Sequence, residues 1–152
     1  MTSQVVVLVV DGSRYAVPLA SVMRVLPMVA VQPVPGAPEP VLGAINLAGT
    51  VVPVVDPRRQ LGLSAQDYGL DSHLLIVRTA RRVLALPADE VLGVQDIEAR
   101  SLAPTESVLP HLRRVTGIAA LPDGLVFIHD LEAFLTPHED RELDRALQSA
   151  KA

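Results

Sequence analysis

Residues 41–61 read VLGAINLAGTVVPVVDPRRQL, two apolar runs separated by the short turn Ala48-Gly49-Thr50. Val, Ile and Leu dominate both runs, and β-branched residues favour extended backbone because their two heavy atoms on Cβ fit a pleated surface. A glycine-containing turn between two such runs is typical of a β-hairpin. The stretch therefore predicts two antiparallel strands that end at Asp56.

The same pattern occurs a second time in the chain. Residues 115–135, VTGIAALPDGLVFIHDLEAFL, align with residues 41–61 without a gap, and a glycine and an aspartate coincide. The offset is 74 residues there, and residues 74–104 align with 5–35 at an offset of 69. Self-similarity of this kind indicates a duplicated unit. We expect one domain over residues 1–152, with repeat units at about 5–61 and 74–135.

The composition favours short strands in a closed arrangement. The chain has 23 valines, two Tyr, two Phe and no Trp, and its 13 prolines and nine glycines supply many strand ends. Five short strands in each repeat would leave exposed edges unless each set closed into a barrel. We predict an all-β protein of two tandem, duplicated, five-stranded small β-barrels of the SH3 or OB type. They should share a hydrophobic junction, because a unit of about 60 residues is marginal alone.

The end of the chain has a different pattern. Thr136, Pro137 and Glu139 form a capping box with Pro at the first helical position. Apolar residues then follow at helical spacing, namely Leu143, Ala146, Leu147 and Ala150. This pattern predicts a short C-terminal helix over about residues 137–150. The helix could pack on its own barrel or hold a partner, and the sequence leaves both open.

Charge and residue types exclude several classes of function. The net charge of −4 argues against a nucleic-acid surface. The absence of Cys excludes disulfides and thiolate metal sites, and none of the four His lies at metal-ligand spacing from another. No apolar run is long enough to span a membrane, and the N-terminus lacks a signal-peptide pattern. We therefore expect no cofactor, no metal, no membrane insertion and a cytoplasmic location.

Candidate catalytic groups are few. Asp56 and Asp130 are equivalent in the two repeats and could act as a general acid/base pair or could each cap the turn that follows. His129 adjoins Asp130, but the first repeat has Val55 there, so the position needs only a strand residue. We expect no enzyme and no catalytic residues, and instead an interaction module. Its apolar loops, residues 29–35 and 107–110, either face a partner or fill the junction between the barrels.

Residues 43–56, GAINLAGTVVPVVD, resemble the CheW family of chemotaxis coupling proteins, whose signature here is NLxGxxVPVxD. Residues 89–94, 117–119 and 130–135 agree with it, and the resemblance covers about residues 5–135. It implies two five-stranded barrels packed across a hydrophobic junction. It also implies a non-catalytic adaptor that bridges the cytoplasmic tips of chemoreceptors to the histidine kinase CheA, by docking on the kinase's own CheW-like regulatory domain.

Two positions depart from the family pattern. Ala48 stands where the family has Arg in NLRG, and Arg24 stands where it has Glu in Val-x-Glu-Val, whereas Arg58 keeps the family's base. Losing both members of a charged pair can be neutral for the fold, so the double change predicts a refitted surface. The alternatives are a CheW-like scaffold for another sensory or motility pathway, or a small barrel that binds a ligand or nucleic acid. The predicted partner contacts are Val22, Arg24, Val25, Val31, Val34, Ala48, Arg58, Val108 and Leu109.

Overall fold

Short strands dominate the computed structural model, which describes residues 2–60, 68–98, 102–104 and 115–151. Within these ranges the first repeat forms β1 (Thr2–Val10), β2 (Ser13–Pro18), β3 (Val22–Pro27), β4 (Val41–Leu47) and β5 (Thr50–Val55). The second forms β6 (His73–Arg78), β7 (Val83–Ala88), β8 (Glu90–Glu98), β9 (Leu102–Pro104), β10 (Val115–Leu121) and β11 (Gly124–His129). The helices are α1 (Pro57–Gln60) and α2 (Pro137–Lys151), with 3₁₀ turns at Leu19–Ser21 and Leu131–Ala133.

The strands form two sheets. The first has the order β8-β1-β2-β11-β10-β9, and the second has the order β3-β6-β7-β5-β4. In each sheet, a stretch that follows the first outer strand in sequence pairs at the opposite side of the sheet. In the second sheet, β3 pairs with β6 while Gln32, further along the chain, bridges to Ala44 of β4. In the first sheet, β8 pairs with β1 and β9 pairs with β10. The predicted all-β class, with two small barrels and a C-terminal helix, is confirmed.

The strands of each barrel come from both repeats, which differs from the tandem arrangement that the sequence suggested. The first barrel combines β1 and β2 with β8–β11, and the second combines β3–β5 with β6 and β7. The repeats have therefore exchanged their first hairpins. The exchange is symmetric in register: Ala16 lies opposite Ile128 in the first barrel, and its equivalent Ala85 lies opposite Val54 in the second. Hydrophobic periodicity predicts where strands occur but not which strands pair, so the sequence alone could not show this exchange.

The exchange explains why β1 is a continuous apolar run rather than an alternating one. Val5 and Val7 face the interior of the first barrel, whereas Val6, Leu8 and Val10 belong to a core between the two barrels. A strand that is buried on both faces has no polar positions in its middle. β6 behaves in the same way, with Leu74 and Ile76 inside the second barrel and Leu75 and Val77 in the shared core. The predicted hydrophobic junction is this shared core.

Helix α2 packs on the chain's own barrels. Leu143 is fully buried in the shared core, and Leu147 packs against it. The predicted capping box is present: the Thr136 N–H donates to Glu139 Oε1 at 2.9 Å, and the Glu139 N–H donates to Thr136 Oγ1 at 3.1 Å. Arg82, which precedes β7, reaches Asp140 at 2.9 Å and also pairs with Asp144. The helix follows the last strand of the first barrel and is bonded to the second, so it links the two.

Candidate functional site

Six of the eight large apolar side chains that are exposed in the described part of the chain lie at positions that the two alignment offsets relate. Large apolar side chains that stand singly on a surface are ordinary, but a repeated set calls for an explanation. Three equivalent pairs, each residue 44–57% exposed, are Met23 with Leu92, Val25 with Val94, and Val51 with Leu125. We name the surface around Met23, Arg24 and Val25 the β3 face. The surface around Leu92 and Val94 is the β8 face.

A β-bulge shapes each face. In the pairing of β3 with β6, the register shifts between Val22 and Arg24, so Met23 has no partner across the ladder. In the pairing of β8 with β1, the register shifts at the equivalent place, and Leu92 has no partner. A bulge bends its strand and redirects the side chains beside it. The same local irregularity thus produces the same exposed apolar surface on both barrels.

The structure brings some of the predicted partner contacts together. Arg24 and Val25 are exposed side by side on the β3 face, and Val22, at the start of the same strand, is half-buried against the shared core. Val31 packs against the interior of the second barrel, and Val34 is half-buried. Val108 and Leu109 lie outside the described residues. None of the predicted partner contacts lies on the β8 face, although the offset of 69 residues maps Val25 directly onto Val94.

Two open grooves lie beside the predicted loop, residues 29–35. A groove of about 240 Å³ is lined by Val34, Ile45 and Val51 together with Leu147 of α2. A wider one of about 800 Å³ is lined by Val29, Val31 and other residues, including Met28, Leu42, Tyr68 and Leu70. The loop therefore contributes both to the barrel packing, through Val31, and to open apolar surface, through Val29, which is 48% exposed.

The turn that joins β4 to β5 holds Ala48 in a left-handed backbone conformation. Ala48 and Gly49 both have positive φ, 51° and 89°, as a two-residue hairpin turn of the primed type requires. Asn46 Oδ1 accepts a hydrogen bond from the Gly49 N–H at 2.8 Å, which fixes the turn. Ala48 is exposed there, so a partner at this turn would meet a methyl group instead of the charge that the family pattern carries.

Arg58 lies inside the protein. The residue is 3% exposed, and its Nη2 donates to Asp89 Oδ1 and Oδ2 at 2.7 and 2.9 Å. The guanidinium carbon lies 4.4 Å from the centre of the Tyr68 ring, whose hydroxyl donates to Asp56 Oδ1 at 2.6 Å. Burial, followed by this hydrogen bond, raises the pKa of Tyr68 far above its ordinary value. Arg58 is one of the partner contacts predicted from the sequence, but its guanidinium forms an internal ion pair with Asp89 that joins α1 to the turn before β8.

The two equivalent aspartates cap the turns that follow them. Asp56 Oδ1 accepts from the Arg58 N–H at 3.0 Å, and Asp130 Oδ1 accepts from the Glu132 N–H at 3.1 Å. Each carboxylate thereby satisfies a backbone donor at the start of a helical turn. His129, beside Asp130, is buried and stacks on Tyr15, with ring centres 4.9 Å apart. These contacts fit the capping interpretation of the pair rather than the acid/base one.

The described ranges hold neither a candidate metal site nor a membrane-spanning helix. Residues 2–60, 68–98, 102–104 and 115–151 contain no group of three or more His, Asp or Glu side chains placed to hold a metal ion. In the same part of the chain, none of the helices is both long enough and apolar enough to cross a membrane.

Two joined barrels that carry equivalent apolar faces define a protein-interaction scaffold. The chain belongs to the family of CheW-like domains, whose family model matches residues 4–139. It is 27% identical over 135 residues to the chemotaxis protein CheW of Rhizobium meliloti (strain 1021), a match that covers 88% of this chain and 86% of that protein. The CheW of Helicobacter pylori is 27% identical over 128 residues, which covers 84% of this chain and 78% of that one.

A solved structure of a related protein has the same fold as this chain. The crystal structure of the scaffolding protein TtCheW from Thermoanaerobacter tengcongensis superimposes with a TM-score of 0.82 at 27% identity, covering 91% of this chain and 96% of that one. Family, relatives and fold together identify this chain as a chemotaxis coupling adaptor in a family of non-catalytic scaffolds.

Proposed function

We propose that this adaptor couples the cytoplasmic tips of chemoreceptors to the regulatory domain of a CheA-type histidine kinase, and that it works in the cytoplasm at receptor arrays. The observation that carries the proposal is the repetition of one exposed apolar surface on both barrels. An adaptor needs two docking surfaces that can be occupied together, and the duplication supplies one per barrel. A kinase domain of the same barrel type could dock on such a face barrel against barrel.

The size of the faces is compatible with reversible coupling. Full burial of a Val, Leu or Met side chain contributes about 1.5–3 kcal/mol, so burying the exposed half of each gives roughly 1 kcal/mol. Association costs offset much of the sum over a face. We therefore expect affinities in the micromolar range or tighter, with each exposed apolar residue contributing a measurable share. A carboxylate in place of an apolar side chain of such a face should be unfavourable because it would be desolvated without a partner.

Calorimetry against the cognate partners tests the proposal. The wild-type chain should bind the regulatory domain of the kinase, the receptor tip, or both, taken from the same organism. Val25→Asp and Val94→Asp should each weaken binding to one of these partners by at least about tenfold. Ala120→Asp is the matched control, because Ala120 is also an exposed strand residue but lies on β10, away from β8 in the sheet order. Failure of the wild-type chain to bind any of these partners would contradict the proposal.

A further inference from the structure

Each exchanged hairpin is tied by its turn to the helical turn that follows the last strand of its own repeat, in the other barrel. In the first tie, the Asp11 N–H donates to Asp89 Oδ2 at 2.9 Å, and Asp89 pairs with Arg58 of α1. In the second tie, the Ala80 N–H donates to Glu132 Oε1 and Oε2 at 2.9 and 3.1 Å. The offsets of 69 and 74 residues map Asp11 onto Ala80 and Arg58 onto Glu132, so the two ties are equivalent in the duplication.

The two ties differ in their exposure to solvent. The side chain of Arg58 is 4% exposed and that of Asp89 is 33% exposed, so the first tie is largely buried. In the second tie, both Ala80 and Glu132 are exposed. Salt screens exposed charges strongly and buried pairs much less. The second tie is therefore the one of the two that ionic strength weakens.

Helix α2 adds ion pairs to the second tie. Nε of Arg82 lies 2.9 Å from Asp140 Oδ1, and its Nη2 pairs with Asp144. Nη1 of Arg81 lies 3.4 Å from Asp140 Oδ2. Asp140 and Asp144 are four positions apart, so they lie on the same side of the helix and both reach the turn between β6 and β7. We name Arg81, Arg82, Asp140 and Asp144 the α2 clamp.

Apart from the clamp, few side chains hold the helical part of α2 on the barrels. Between positions 137 and 149, Leu143 and Ala146 are buried and Leu147 is half-buried. Arg145 is exposed and takes part in none of the ion pairs of the described part of the chain. The first strands of the exchanged hairpins, by contrast, are buried on both faces. Elements with few buried apolar contacts open at lower free energy than the rest of a fold, so α2 should open before the strands do.

We propose that α2 is a salt-sensitive strap, which the α2 clamp holds closed and which opens as a unit while the barrels stay folded. The inference goes beyond the proposed function, since α2 belongs to neither the β3 face nor the β8 face. In the closed state, Leu147 forms one wall of the groove that is also lined by Val34, Ile45 and Val51. Opening removes this wall and uncovers the site of Leu143 on the shared core. The strap therefore controls how much apolar surface the groove presents.

Ionic strength should open the strap selectively. The Debye length falls from about 10 Å at 0.1 M salt to about 3 Å at 1 M. The side chains of Arg81 and Asp144 are each 55% exposed, so the attraction across the α2 clamp is screened at high salt. The strands of the shared core meet through apolar groups, which carry no charge to be screened. Salt consequently lowers the stability of α2 relative to that of the barrels.

Hydrogen exchange of the native full chain tests the inference. Raising sodium chloride from about 0.1 M to about 1 M should speed exchange of the α2 amides by about three- to tenfold and leave exchange in β6 and β7 unchanged. Arg82→Gln should speed α2 exchange by at least about fivefold at low salt and remove most of the salt dependence, because one guanidinium holds both carboxylates. Arg78→Gln is the matched control and should behave like the wild type, since Arg78 is exposed and takes part in none of the ion pairs among the described residues.

A disulfide gives a second readout that does not depend on the clamp. A Cβ at position 36 would lie 3.9 Å from the Cβ of Ala146, which is within the range of disulfides, and the chain has no cysteine of its own. In the chain with Gly36→Cys and Ala146→Cys, oxidation should keep α2 protected at high salt, and reduction should restore the salt dependence. Both states carry the same two substitutions, so any strain at position 36 cancels in the comparison.

The strap must open separately from the barrels for the inference to hold. Salt-independent exchange of α2 in the wild type, or equal acceleration in α2 and β6, would overturn it. A salt dependence that survives oxidation of the disulfide would do the same, because release of the closed helix would then not be what salt promotes.

Discussion

Ala48 holds a backbone conformation that its side chain disfavours. An L-residue in the left-handed region costs about 1–2 kcal/mol, and the hairpin turn between β1 and β2 uses Asp11 and Gly12, which tolerate positive φ better. Ala48→Gly should therefore raise the free energy of unfolding by about 0.5–1 kcal/mol, measured by urea denaturation. Ala20→Gly, at an exposed position of the 3₁₀ turn with no positive φ, is the control and should give no increase. Equal stabilisation by both would show that strain at position 48 is not the cause.

The buried Arg58 depends on Asp89 for its charge balance. Removing one partner of a buried ion pair leaves an uncompensated charge, whereas replacing both with apolar residues can be close to neutral. Asp89 is one-third exposed, so Asp89→Asn should lower the free energy of unfolding by about 2 kcal/mol rather than by the largest values known. The combination of Arg58→Met with Asp89→Leu should cost less than the two single substitutions added together. A strictly additive result would contradict the pairing, and Asp71→Asn, at an exposed turn, is the control.

The two tyrosines make the stability of the fold sensitive to high pH. Burial is the main cause of a raised pKa in both Tyr15 and Tyr68. An unfolded tyrosine ionises near pH 10, so above that pH the unfolded state loses its protons before the folded state does, and the stability falls as pH rises. Unfolding measured between about pH 8 and 11 should show this decline, and Tyr68→Phe should make it shallower. Tyrosinate absorbance reports the two residues directly because the chain has no Trp; ionisation of both at pH 10 in the folded state would contradict the prediction.

At the scale of elements, helix α2 depends on its first turn. Thr136 and Glu139 satisfy each other's backbone donors, and loss of a threonine cap costs about 1 kcal/mol. Thr136→Ala should lower the free energy of unfolding by that amount and increase hydrogen exchange in α2 before it does so in the strands. Ser149→Ala, near the other end of the same helix, should leave both unchanged. Equal acceleration of hydrogen exchange in the strands and in α2 would show that the cap stabilises the whole fold and not the helix alone.

The elements also separate what the sequence could predict from what it could not. The hairpin of β4 and β5, the capping box at Thr136 and the caps at Asp56 and Asp130 follow from residues within a few positions of one another, so local pattern was sufficient. The burial of Arg58 depends on Asp89, which lies 31 positions away in the sequence. Next to Arg59 and Gln60, Arg58 had the appearance of a surface residue. The 69-residue offset could map the β8 face from the β3 face, but the exposure of both faces depends on a bulge, which is a property of the strand pair and not of one strand.

At the scale of the molecule, the exchange of hairpins makes each barrel dependent on both repeats. In the second barrel, β6 and β7 lie between β3 and β5, so the strands of the first repeat do not touch across this gap. In the first barrel, β1 and β2 lie between β8 and β11 in the same way. The inserted strands are central, and they also supply most of the shared core. A repeat by itself therefore has neither a continuous sheet nor a second surface on which to bury its apolar residues.

A division of the chain between the repeats should consequently abolish folding of both parts and restore it on mixing. Fragments 1–64 and 65–152 should each lack a cooperative unfolding transition when studied alone, because each would expose strands that are buried on both faces in the whole protein. An equimolar mixture should recover the β-sheet circular dichroism of the intact chain and a single cooperative transition, with a midpoint that rises with concentration. A doubled concentration of either fragment is the control for simple association. Cooperative folding of fragment 1–64 alone would mean that one repeat can close a barrel without the exchanged hairpin, and the sheet order would then reflect a preference between two packings instead of a requirement of the sequence.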